Sequence, residues 1–141
     1  LYSIFKTRIP SDFVDSPHKL SSRPVSFYFG LEPGHSTDYD AVIIAEVQSM
    51  DTIINLTNVE YVYTADPKKD PNARPIFRLS WSEYKKYIGG RWEPGLNTPF
   101  DPLASKKAEA LGIKVIIMNG RDTQNLDNFL SGRKFKGTTI H

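Results

Sequence analysis

The chain of 141 residues contains no cysteine. That excludes a disulfide framework and a thiolate metal site, and the cytosol is the plain reading of such a composition. It lacks a long hydrophobic run as well. The longest, residues 115–118 with Ile113 nearby, is far too short to span a bilayer, so no membrane partner is expected. No secretory signal pattern is visible. Charge of one sign is also missing: 18 Lys and Arg stand against 16 Asp and Glu, scattered, for a net +2. A nucleic-acid polymer surface is not expected from that balance. No G-x-x-x-x-G-K-[ST] sequence occurs, which excludes a P-loop enzyme. Repeats and low-complexity tracts are absent too. What remains is 39% hydrophobic and 24% charged, an ordinary globular composition long enough for one domain with a core.

Residues 1–24 form a loop-rich lead-in, with Tyr2, Ile4 and Phe5 before Pro10, Pro17 and Pro24, and residues 11–24 read mostly as loop. Residues 25–141 read as one unit. V-S-F-Y-F at 25–29 is a strand running to a turn at Gly30. A helix is expected over 37–47, capped by Ser36 or Thr37, with Asp38 and Asp40 in its first turn. Val42, Ile43, Ile44, Ala45 and Val47 are apolar on nearly all sides, as in a helix buried between layers. A strand over 52–56, with Ile53 and Ile54 buried, closes a β-α-β unit. A long loop follows, and Ile76 and Leu79 bring the chain back to the core. Ser80 with Glu83 is a capping box for a helix to Ile88, stopped by Gly89-Gly90. A second helix over 102–111 has Pro102 in its first turn, Ala104, Ala108 and Leu111 on its inner face, and Gly112 as its stop. A buried strand over 113–118, a helix over 123–130 with Leu126, Phe129 and Leu130 inward, and a short strand over 137–140 complete the chain. Strands alternating with helices predict an α/β fold with a mainly parallel sheet sandwiched by helices.

In such sheets ligands gather at the carboxyl ends of strands. Three loops are placed there: residues 30–37, 57–71 and 92–101. The first runs Pro33-Gly34-His35-Ser36-Thr37-Asp38 into a helix. Backbone N–H groups at a helix start, joined by hydroxyls, form a phosphate site, or else this is an ordinary N-cap with a flexible glycine. The second loop carries Tyr61, Tyr63 and Asp66. An aromatic flanks a purine and a carboxylate accepts from a ribose hydroxyl, or else Tyr63 packs and Asp66-Pro67 makes a turn. The third loop ends at Asp101, which either helps arrange Mg²⁺ and phosphates or caps the following helix.

Four motifs weigh on these alternatives: P-G-H-S-T-D at 33–38, N-L-T-N-V-x-Y-V-Y-x-x-D-P at 55–67, P-F-D-P-L-A at 99–104 and the closing G-T-x-I at 137–140. In this order and spacing they resemble the amino-acid-kinase-fold enzymes, most closely the uridylate (UMP) kinases of an archaeal-like or divergent branch. The resemblance covers residues 25–140. It implies transfer of the γ-phosphoryl of ATP to UMP, with Mg²⁺ accompanying the nucleotide. It places Leu31, Glu32, Pro33, Gly34, His35, Ser36 and Thr37 at the UMP site, and Thr57, Tyr63 and Asp66 at the ATP site. Asp38 and Asp101 match acidic positions near the transferring phosphoryl group.

One departure stands beside that likeness. The family opens with a glycine-rich loop carrying a phosphate-binding Lys, then a Gly-Gly and an Arg on the UMP side. No K-x-S-G or G-G-S pattern precedes Val25. The expectation is a C-terminal, ATP-side portion of such a kinase, the rest lost by truncation or supplied by a partner chain, and the resemblance also implies a homo-oligomer. The alternatives are a non-catalytic nucleotide-binding fragment, or a kinase of the same fold with another phosphoacceptor.

Overall fold

The computed structural model describes residues 11–14, 16, 18–29, 34–88 and 98–141. The expected turn at Gly30, the positions of Leu31, Glu32 and Pro33, the helix stop at Gly89-Gly90 and the 92–97 part of the third loop lie outside them. So do Tyr2, Ile4, Phe5, Pro10 and Pro17.

The centre of the fold is β7 (Lys114–Asn119), in which Val115, Ile116, Ile117 and Met118 are all buried. A strand covered on both faces reads as such a continuous apolar run. β3 (Thr52–Thr57) lies parallel to it, from Thr52 opposite Lys114 to Thr57 opposite Asn119. On its other side β8 (Thr138–Ile140) runs antiparallel, and β6 (Arg78–Leu79) pairs parallel with β8. The resulting sheet has four strands in the order β3-β7-β8-β6. Two small sheets stand apart from it. β1 (Ser11–Val14) and β2 (Val25–Tyr28) pair in parallel, while β4 (Val62–Tyr63) and β5 (Pro75–Ile76) form an antiparallel ribbon.

Each helix begins where the local chemistry directs. α1 (Thr37–Val47) opens at Ser36, whose hydroxyl accepts the Tyr39 N–H at 3.1 Å. α2 (Trp81–Ile88) has a reciprocal capping box: the Ser80 N–H donates to the Glu83 carboxylate at 2.8 Å, and the Glu83 N–H donates to the Ser80 hydroxyl at 3.2 Å. α3 (Pro102–Leu111) is capped by Asp101 and ends at Gly112, whose φ of 67° is the left-handed conformation a helix stop requires. α4 (Thr123–Leu130) is capped by Asp122, which accepts the Asn125 N–H at 2.9 Å. Val42 and Ala45 of α1, Trp81 and Tyr84 of α2, Phe100, and Ala104 and Ala108 of α3 join Val115, Ile117 and Ile140 in one core. No helix among the described residues is long and apolar enough to cross a membrane.

Several expectations are corrected. Residues 11–14, read as loop, form β1, and Val14 is buried against the fold. The paired strand β2 supplies what the local sequence does not signal. α1 is not buried all round: only Asp40, Val42 and Ala45 are buried, while Ile43 and Ile44 are half-covered. Ile53 and Ile54 are likewise half-buried, because β3 is the sheet's edge strand. Leu111 and Leu130 face outward at the last positions of their helices, 39% and 68% exposed. The inner face of α3 is instead Ala104, Ser105 and Ala108. The loop over 57–71 is interrupted by β4, and the third loop leaves the end of α2 rather than a strand.

Candidate functional site

Asp101 is where the two halves of the site meet. One carboxylate oxygen accepts the N–H groups of Leu103 and Ala104 at 2.8 and 3.0 Å, which caps α3. The other accepts the Ser36 hydroxyl, at the start of α1. The backbone N–H of Asp101 donates to Asp38 Oδ2 at 3.0 Å. Two helix N-termini are thereby tied together through a hydroxyl and two carboxylates. Burial, opposed in part by the Asp101 N–H and reinforced by the Asp101 charge, holds the Asp38 carboxyl above its usual value.

Beside this junction lies a cavity of about 250 Å³, lined by Gly34, His35, Ser36, Tyr39, Asp101 and Leu103. Gly34 has φ 101°, a conformation that disfavours any side chain there. The His35 ring packs against Tyr39 with centroids 4.8 Å apart, and His35 Nδ1 stands 4.0 Å from the buried carboxylate of Asp40. A second cavity, about 270 Å³, is lined chiefly by the segment from Val59 to Pro67, by Tyr84 and Tyr87, and by Thr98 and Pro99. Residues 98–101 thus contribute to both cavities.

The expected site residues fall into these places unevenly. Gly34, His35 and Ser36 line the first cavity, while Thr37 is exposed as the first residue of α1. Leu31, Glu32 and Pro33 lie outside the described residues. Asp38 and Asp101 come together, with Asp101 in the N-cap role that the sequence left open. Tyr63 and Asp66 line the second cavity. Asp66 also makes a turn, accepting the Lys68 N–H on its side chain at 2.9 Å and the Lys69 and Asp70 N–H groups on its carbonyl. Thr57 is not in the cavity lining. It ends β3, its carbonyl accepting the Gly120 N–H at 2.8 Å and its hydroxyl facing Asn58.

Two residues hold the site in ways the sequence does not assign to them. Asn55 donates from its side chain to the Pro99 carbonyl at 2.6 Å. The buried Tyr84 hydroxyl bonds both backbone polar groups of Phe100. A polar side chain inside an apolar strand was the available signal for Asn55. Tyr84 carried none, since helical spacing places it in the core whatever its hydroxyl does.

Oxygen ligands from adjacent carboxylates suit Mg²⁺. Among the described residues, however, no group of three or more His, Asp or Glu side chains is gathered to hold an ion. Both Asp101 oxygens are already engaged. Among the described residues there is therefore no preformed cage for such an ion.

Known proteins bear on this geometry. Residues 25–119, more than half the chain, match the model of the "Amino acid kinase family". A uridylate kinase of Pyrococcus abyssi is 32% identical over 134 residues, covering 94% of this chain and 59% of the relative. One from Methanospirillum hungatei is 38% identical, covering 79% and 48%. The crystal structure of the uridylate kinase from Archaeoglobus fulgidus superposes with a TM-score of 0.71 at 36% identity, covering 84% of this chain and 53% of that one. The chain thus spans roughly half to three-fifths of the length of these relatives. With the family match extending from β2 to the end of β7, and the α/β architecture shared by the superposed structure, the chain belongs to the amino acid kinase family.

Proposed function

We propose that this chain forms the ATP- and UMP-binding portion of a uridylate kinase, acting in cytoplasmic pyrimidine nucleotide synthesis. The observation that carries the reading is the junction of Ser36, Asp38 and Asp101, set at a segment that lines two separate cavities. A nucleoside monophosphate kinase needs its two nucleotides held end to end. The cavity at Gly34, His35 and Ser36 takes UMP, with Leu31, Glu32, Pro33 and Thr37 completing its loop. The cavity at Tyr63 and Asp66 takes ATP, with Thr57 at its edge. The relatives' name, uridylate kinase, supports UMP as the acceptor in this reading.

In the reaction, a phosphate oxygen of UMP bonds to the γ-phosphorus as the bond from that phosphorus to the ADP oxygen breaks, giving UDP and ADP. Mg²⁺ bound with ATP supplies charge neutralisation. This chain's own share is positioning. Asp38 and Asp101 lock the starts of α1 and α3 in one geometry, which holds the loop at Gly34, His35 and Ser36 against the 98–101 segment between the two cavities. The remaining cations come from the family's glycine-rich segment, in the same polypeptide or in a partner chain, and the protein self-associates.

Calorimetry on the 141-residue chain tests the reading. Measurable ATP binding and a preference for UMP over AMP are expected. No heat with ATP, or equal affinity for the two monophosphates, would overturn it.

A further inference from the structure

The closing G-T-x-I motif contributes no side chain to the lining of either cavity, yet one of its hydroxyls is built into the wall of the second. β4 and β5 are an antiparallel ribbon with Val62 opposite Ile76 and Tyr63 opposite Pro75. One step further, the Thr64 N–H donates to the Arg74 carbonyl at 3.0 Å. Bonded pairs in an antiparallel ladder recur at every second residue, so Val62 and Ile76 stand at the next bonding position. There the Val62 N–H donates to Thr138 Oγ1 at 2.9 Å, and the same hydroxyl donates to the Ile76 carbonyl. A side chain of β8 thus carries a bond from one ribbon strand to the other.

Thr138 is fully buried. Its hydroxyl has one proton to give and lone pairs to accept, and both capacities are used. A ribbon of two residues per strand is not stable alone and depends on what it is attached to. Gly137 sets the approach: a Cβ there would lie 2.5 Å from the Ile117 carbonyl oxygen, so a side chain would push β8 off β7 and carry Thr138 away from the ribbon. The ribbon in turn presents Tyr61, Val62 and Tyr63 to the second cavity, with Tyr61 and Tyr63 edge to face at 6.1 Å.

We propose that Thr138 is a positioning residue for the donor nucleotide: its hydroxyl fixes the β4–β5 ribbon to the main sheet, and with it the tyrosine wall that receives ATP. This rests on the reading of that cavity as the ATP site. Acceptor binding is not coupled to it, because the first cavity is lined from α1, α3 and the loop before α1.

The test compares the parent chain with Thr138→Val, which keeps the shape and removes the hydroxyl, and Thr138→Ser, which keeps the hydroxyl. Hydrogen exchange at Val62 and Thr64, referred to the amides of β7, reads the ribbon, and calorimetry with ATP and with UMP reads the two cavities. Thr138→Val is expected to speed exchange in the ribbon but not in β7. It should weaken ATP binding by about tenfold or more, as displaced positioning groups do. UMP affinity stays within about twofold, and Thr138→Ser restores both readouts, since the hydrogen-bonding capacity is retained. Unchanged ribbon exchange in Thr138→Val overturns the clamp. Faster exchange with unchanged ATP affinity overturns its role in positioning the nucleotide. A parent chain that binds no ATP overturns the kinase reading itself, and the exchange data then separate that failure from failure of the clamp.

Discussion

The Tyr84 hydroxyl closes on both backbone polar groups of Phe100, accepting its N–H and donating to its carbonyl, each at 2.9 Å. Both residues are fully buried, and burial pushes the Tyr84 hydroxyl above its ordinary range, so it stays neutral. With Asn55 holding the Pro99 carbonyl, this contact fixes the segment that brings Asp101 to Asp38. Tyr84→Phe leaves the Phe100 N–H and carbonyl buried without their partner, which costs about 1–3 kcal/mol. Denaturant unfolding of the parent and variant chains checks this. A midpoint shifted by no more than experimental error would mean that the segment is held by something else.

Asp38 yields a pH-dependent prediction. Its folded-state pKa is raised above the ordinary value of 3.8, chiefly by burial. The folded state therefore holds this proton more tightly than the unfolded chain, and stability contributed here falls as pH climbs from 3.8 through the raised value. Asp38→Asn keeps an oxygen for the Asp101 N–H and carries no charge. Its melting temperature is expected to gain on the parent's as pH rises through that window, then stay level above it. A parallel pair of melting curves against pH would count against the desolvation argument.

Asp66 can be probed without disturbing its turn. Its side chain accepts the Lys68 N–H, and an Asn oxygen can do the same. Asp66→Asn isolates the charge, while Asp66→Ala removes both the charge and the turn bond. If the carboxylate accepts from the ribose of ATP, both variants weaken ATP binding in calorimetry, Ala more than Asn. Parent-like affinity in Asp66→Asn would confine this residue to the turn.

The 141-residue chain by itself is expected to bind ATP without turning it over. No Lys or Arg lines either cavity among the described residues. Losing one charge-stabilising group lowers a rate by about 10²–10³. A coupled assay of UMP-dependent ADP release on this chain should read background. Sustained UDP formation would show that other residues carry the chemistry.

Much of the fold was legible because local chemistry and tertiary role agree. Ser36, Ser80, Asp101 and Asp122 cap the helices that the sequence implies, and the apolar run of β7 is the sheet's centre. What could not be read depends on neighbours distant in sequence. β1 exists through its pairing with β2, and the half-exposure of Ile53 and Ile54 follows from β3 lying at an edge. Around the candidate site, the loop motifs pointed to Ser36, Asp38, Tyr63 and Asp101, which line or adjoin the two cavities, while spacing alone left the ligand readings open and favoured the caps. Thr57 fell at a strand end, outside the cavity lining. The contacts that hold the site together, Asn55 to Pro99 and Tyr84 to Phe100, are 44 and 16 residues apart, and no local pattern announces them.

The most direct test of the central claim is an acceptor comparison on the full-length gene product with ATP and Mg²⁺. UMP, AMP and GMP are offered separately at equal concentration, and diphosphate formation is measured. The account predicts that UMP is phosphorylated far faster than either purine nucleotide, because the cavity at Gly34, His35 and Ser36 is read as the UMP site. Equal rates with AMP, or no transfer to UMP at all, would contradict it.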